Sequence, residues 1–164
     1  SCAPVVLDPV MVAESGARLL EPDAEQALCQ QLVPQAAVIT PNLPEAAVLS
    51  GAEGEPEELA RAVHALGPGA AVVTGGHSDE GDDLFFDGER LEAIPGERHP
   101  DGAAHGSGCT HSSALAAGLA RGMDELEAAR FARQIAGEAV RDGLRELGRG
   151  SGPVNALGVG RGAG

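Results

Sequence analysis

The chain has 164 residues, enough to bury the core of one α/β domain, and carries a net charge of −14. All eleven basic residues are arginines; this charge balance argues against nucleic acid or an anionic membrane as a partner, and the absence of lysine excludes a Walker-type phosphate loop and a Schiff-base mechanism within this chain. Three cysteines, only three aromatic side chains (all Phe) and no signal-like or membrane-length apolar segment fit a cytoplasmic protein and exclude a base-stacking platform.

Short apolar runs alternate with helical patterns, so the expected class is α/β, a parallel sheet covered by helices. Pro4 to Asp8 reads as a buried strand that ends on an acid. Asp23 with Gln26 reads as a capping box opening a helix to about Val33. Ala36 to Thr40 is a second strand. Asn42 to Ser50 is a short helix stopped at Gly51, and Pro56 to Gly67 brackets another. Ala70 to Thr74 is a third strand, running into Gly75-Gly76-His77. Residues 82–87 and 90–94 form a hairpin, with Asp87-Gly88 as its turn signal. After a polar loop, His105 to Thr110 leads into an Ala/Leu-rich helix. Asp124 and Glu127 open a long helix extending to Leu147. Residues 148–164 are a glycine-rich tail, and no internal domain boundary is visible. The sequence opens Ser1-Cys2-Ala3 within a strand pattern, so the expectation is the later part of a longer protein.

The chemistry concentrates at the ends of the strands, where open α/β sheets bind ligands. Gly106-Ser107-Gly108 strips side chains from a helix start, so backbone N–H groups and the helix dipole converge on an anion. Cys109, on that first turn, is placed to act as a thiolate. A tight turn with a buried cysteine is the bland alternative. His105, Cys109 and His111 also raise a zinc site, but no CxxC or HExxH pattern supports one. Asp8 is either a turn aspartate or a carboxylate facing a metal or a phosphoryl group. Asn42 and Glu45 make a capping box, and the same pair is able to order water around Mg²⁺. His64 reads as an ordinary surface residue of its helix, and Arg141, Arg145 and Arg149 as one solvated helix face.

Asp8-Pro9-Val10-Met11 with Ser15-Gly16, Thr40-Pro41-Asn42-Leu43-Pro44-Glu45, Gly75-Gly76-His77, His105-Gly106-Ser107-Gly108-Cys109-Thr110 and Gly152-Pro153-Val154-Asn155 stand in a recognisable order. On these residues the chain resembles the hydroxymethylpyrimidine/phosphomethylpyrimidine kinases of thiamine biosynthesis, members of the ribokinase-like superfamily. The resemblance covers nearly the whole chain and starts partway through the family's pattern. It implies a three-layer α/β/α fold with a mostly parallel sheet, residues 1–164 being the C-terminal part of a single kinase domain. It also implies ATP and Mg²⁺ as cofactors, a small pyrimidine as substrate and a homodimer.

By the same resemblance, Gly106, Ser107 and Gly108 would form the anion hole for the γ-phosphoryl, and Cys109 would take the proton of the substrate hydroxymethyl group. Asp8 and Glu45, with Asn42, would organise Mg²⁺. Thr74 and Gly76 would face the nucleotide, and Val10 would lie against the pyrimidine. Two departures stand out. Thr74 occupies a position where the family usually has lysine, and Ser107 one where threonine is common. Pyridoxal kinases share the cysteine and the fold; Met11 and the Gly152 to Asn155 segment favour the pyrimidine enzymes. A non-catalytic nucleotide-binding module is the rival from outside the enzymes.

Overall fold

The computed structural model describes residues 3–11, 18–75, 81–99, 103–147, 150 and 152–159. Among these residues five strands form one sheet in the order β1-β2-β3-β4-β5: Val6–Leu7, Val38–Ile39, Ala70–Val73, Asp83–Phe86 and Leu91–Ile94. β1, β2 and β3 run parallel, and β4 and β5 add an antiparallel hairpin at one side. The expected α/β class holds, with the hairpin supplying the antiparallel part.

The central strands β2 and β3 are apolar in both directions because both faces of the sheet are covered. Leu7, Ile39, Ala71, Val73, Leu84 and Phe86 point into one core with α2 (Leu43–Ser50) and α3 (Pro56–His64). Their strand neighbours Val6, Val38, Ala70, Val72 and Phe85 point into a second core with α4 (Ser107–Ala120) and α5 (Glu125–Arg141). The alternation of side chains along each strand produces the three layers.

Several local readings need correction. The first helix, α1 (Pro22–Ala27), starts one residue before Asp23, with Glu21 as its cap residue and Pro22 in its first turn. The fixed φ of proline suits that position, so Asp23 lies inside the first turn and makes no capping box. The helix then loosens into a π-turn over Leu28–Leu32 and tightens into a 3₁₀ turn over Val33–Gln35, where Pro34 cannot continue an α-helix. α5 stops at Arg141, six residues short of the expected Leu147. A side chain at Gly143 would meet Ala103 Cβ at 2.5 Å, and the Leu144 N–H donates to Pro153 O at 2.9 Å. The chain thus turns away to pack beside the start of α4. Arg145 therefore lies beyond the helix, and Arg149 is outside the described residues. His64 is half-buried, its ring edge-on to Phe86 with centroids 5.1 Å apart.

Candidate active site

Parallel strands place successive strand ends along one edge. Thr40 N–H donates to Leu7 O at 3.0 Å and Thr74 N–H to Pro41 O at 2.9 Å. Asp8, Asn42 and Gly75 therefore follow β1, β2 and β3 on the same edge. β4 starts there as well, because it runs back against β3.

At the β1 end, Pro9 is fully buried and Val10 is exposed at 44%. The half-buried Asp8 accepts a hydrogen bond from Ser112 Oγ at 3.1 Å. Burial pushes the Asp8 carboxyl above its ordinary value, against the opposing pull of the Ser112 hydroxyl and of His111.

Beside it, Asn42 Oδ1 accepts from Glu45 N at 2.9 Å, and Glu45 Oε2 accepts from Asn42 N at 2.9 Å. The capping box is therefore real. Glu45 is also pushed upward, first by burial and further by the Asp8 charge, while the N–H groups of Asn42 and Met11 pull it down. The two carboxyl groups thus sense each other. Paired, desolvated, hard-oxygen donors suit Mg²⁺, which keeps several of its waters and needs few protein ligands.

α4 opens on Gly106, whose φ of 90° lies in the left-handed region that favours glycine. No side chain caps this end of the helix. Among the described residues nothing lies within 4 Å of where a Gly108 side chain would be. The Ser107 N–H already donates to Ala104 O at 3.0 Å, so what the helix start offers an anion is the open space over Gly108 and the positive end of a fourteen-residue helix. Cys109 sits on the first turn, free and exposed. His105 O accepts from Val154 N at 3.0 Å, and Asn155 N donates to Ala139 O at 2.8 Å. The Gly152 to Asn155 segment thereby braces the helix start.

A cavity of about 540 Å³ joins the β3 end to the α4 start, lined by Gly75, Gly81, Arg98, His99, Ser107 and Arg133 among others. The exposed Gly75 lines its β3 end, and the half-buried Thr74 precedes Gly75 in the chain without lining the cavity. Gly76, with Thr74 a nucleotide-facing candidate, lies outside the described residues, as do His77, Ser15 and Gly16.

The zinc reading finds no geometry. Cys109 is exposed while His111 is buried, with Nε2 3.1 Å from Asp83 Oδ2. Among the described residues no three His, Cys, Asp or Glu side chains converge as a metal set. Sequence reasoning missed Ser112, Asp83, Arg98 and Arg133. Ser112 and Arg133 looked like ordinary helix residues. Asp83 carried the only signal, an acid opening the apolar run Asp83–Phe86.

The fold defines a class, the ribokinase-like fold that solved pyridoxal kinases share. The chain superposes on the pyridoxal kinase of Bacillus subtilis, solved as an ADP complex, with a TM-score of 0.82 and 38% identity, over 92% of this chain and 59% of that one. The phosphomethylpyrimidine kinase family pattern matches residues 1–155, and the chain belongs to that family. It is 46% identical over 158 residues to the hydroxymethylpyrimidine/phosphomethylpyrimidine kinase of Rhizobium meliloti, covering 92% of this chain and 59% of that protein. It is 42% identical over 159 residues to the thiamine biosynthesis bifunctional protein of Geobacter sulfurreducens, covering 93% of this chain and 32% of that protein. The chain therefore spans about three fifths of the length of the Rhizobium kinase it matches.

Proposed function

We propose that this chain carries the catalytic edge of a kinase that uses Mg-ATP to phosphorylate hydroxymethylpyrimidine and its monophosphate in thiamine biosynthesis. The observation that carries the reading is the placement of a bare helix start and an exposed Cys109 on the same sheet edge as the Asp8–Glu45 pair.

The pyrimidine ring rests against the exposed Val10. Cys109 Sγ accepts the hydroxymethyl proton as that oxygen attacks the γ-phosphorus, and the bond from phosphorus to the ADP oxygen breaks. The N–H groups of Gly106, Ser107 and Gly108 receive the charge on the transferring phosphoryl oxygens, the Ser107 N–H exchanging its bond to Ala104 O for the phosphoryl. Aligned donors of this kind cost no reorganisation during transfer. Asp8 and Glu45 would hold Mg²⁺, with Asn42 fixing Glu45 through the cap. The bound cation would neutralise phosphate charge.

The nucleotide occupies the cavity between Gly75 and Ser107, alongside Thr74 and Gly76. Thr74 brings no charge, so the phosphates are met by Arg98 and Arg133, the arginines that line this cavity. Nothing in the site calls for nucleic acid. Among the described residues no helix is long and apolar enough to cross a membrane.

The test is phosphoryl transfer from Mg-ATP to hydroxymethylpyrimidine, run in competition with pyridoxal. Formation of the pyrimidine monophosphate supports the reading. Preference for pyridoxal would favour the second reading, which the likeness to the Bacillus pyridoxal kinase motivates. Nucleotide binding without transfer to either acceptor would favour a non-catalytic module.

A further inference from the structure

β4 begins with a carboxylate that the sheet itself does not need. Asp83 is 1% exposed and is followed by Leu84, Phe85 and Phe86, all buried. An unpaired carboxylate in such surroundings costs several kcal/mol, and an apolar residue of similar volume is often as stable or more so. What Asp83 touches explains its place better than what it stabilises.

Its Oδ1 accepts the Gly75 N–H at 2.7 Å. Its Oδ2 lies 3.1 Å from His111 Nε2 and 3.9 Å from Arg133 Nε, ion-pair contacts in which neither nitrogen has hydrogen-bond geometry to the carboxylate. Arg133 in turn donates from Nη2 to Gly81 O at 2.8 Å. His111 is two residues beyond Cys109 on α4 and one before Ser112, which bonds Asp8. One buried carboxylate therefore meets the turn after β3, the second turn of α4 and the middle of α5. Gly75, Ser107 and Arg133 are all walls of the same cavity.

We propose that Asp83 is a positioning residue for phosphoryl transfer, its carboxylate locking the Gly75 wall to α4 through His111 so that donor phosphate and acceptor are held in register. The inference rests on the kinase reading above. Asp83 touches no reacting atom in this scheme and acts through Gly75 and His111. In-line transfer depends steeply on register: a misplacement of about 1 Å costs up to roughly 100-fold.

The experiment compares wild type with Asp83→Asn, His111→Leu and the double variant, with folding checked by circular dichroism and melting. Asparagine keeps the shape and an acceptor for Gly75 but loses the charge that faces His111 and Arg133. The expected result is a fall in kcat of roughly 10-fold in each single variant, with KM for ATP moving less than about threefold. The double variant should lose no more than the worse single one, because both remove the same tie. Lower melting temperatures with kcat unchanged per folded molecule would overturn the proposal, as would additive losses in the double variant. Absence of transfer by the wild type would instead count against the kinase reading. In that case amide exchange at Gly75 decides: acceleration in His111→Leu supports the tie, and unchanged exchange rejects it.

Discussion

Ser112 Oγ donates to Asp8 Oδ2 at 3.1 Å although 104 positions separate the two residues. The same hydroxyl lies 3.2 Å from Cys109 O. One side chain therefore fastens the end of β1 to the turn that carries Cys109. The metal-facing edge and the proton-accepting edge of the proposed reaction become neighbours through this contact.

Cys109→Ala should lower kcat by roughly 100-fold or more if its thiolate accepts the hydroxymethyl proton. Its side chain is exposed, so the melting temperature should stay within about 1 °C. Steady-state kinetics with a parallel thermal melt reads both. Retained turnover would remove Cys109 from proton transfer.

Asp8→Asn should stabilise the metal-free protein at pH 7 while weakening its response to Mg²⁺. Burial raises the Asp8 carboxyl, so the folded state holds its proton more tightly than the unfolded chain. That contribution is fully present below the unfolded pKa of about 3.9 and is lost as pH rises through the folded value. The amide removes the cost of a desolvated charge at neutral pH. Melting curves with and without Mg²⁺ should show a gain for the variant without the cation and a larger Mg²⁺-induced rise for wild type. Equal rises would mean that Asp8 does not hold the cation.

Arg98→Ala should weaken ADP binding roughly 10-fold, since charge-assisted contacts to phosphate are the strong ones. Arg98 is exposed and lines the cavity, so the fold should be unaffected. Titration calorimetry with Mg-ADP measures this, and an unchanged Kd would assign the phosphates to other donors.

Asp87→Asn tests the hairpin. Asp87 accepts from the N–H groups of Glu89 and Arg90 and from Arg90 Nε, the last at 2.7 Å. Led by the Arg90 backbone N–H, these bonds hold its pKa at about 2. A depressed carboxylate contributes stability above its unfolded pKa and loses it as pH falls from about 4 towards 2. The site is at the surface, so about 0.5 kcal/mol is expected, a melting shift of roughly 1–2 °C at pH 7. The difference from wild type should shrink below pH 4.

Leu115→Ala tests the second core. Leu115 is fully buried in the cluster that joins α4 and α5 to the sheet. A loss of about 2–5 kcal/mol is expected from denaturant melts, with lost transfer energy and a residual cavity both contributing. Because α4 carries the helix start, the variant should also lose nucleotide affinity at temperatures where the wild type is still folded.

Much of the fold was legible because its signals are local. The run Ala70–Val73 could only be a strand buried on both faces, and Asn42 with Glu45 forms the capping box that their spacing announces. Gly51 stops α2 in the left-handed conformation that ends many helices. Where the reading failed, a distant contact decided. The end of α5 depends on Gly143 meeting Ala103 and on Leu144 bonding Pro153, none of which helical periodicity records. Pro22 displaced Asp23 as the start of α1 because two local signals competed and the fixed φ of proline prevailed.

The candidate site divides in the same way. Local sequence specifies the types and order of its chemical groups: an acid after β1, a cap after β2, glycine after β3, and glycines and a cysteine at the start of α4. Each is written in a few adjacent residues, and backbone preferences act over that range. Which of them meet is set by packing between distant elements. The Asp8–Ser112 bond, the contact of Asp83 with Gly75 and His111, and the arrival of Arg98 and Arg133 at the cavity arise where separate elements pack. Such contacts are set by how two cores close over the two faces of one sheet, a property of the whole chain that no short segment encodes.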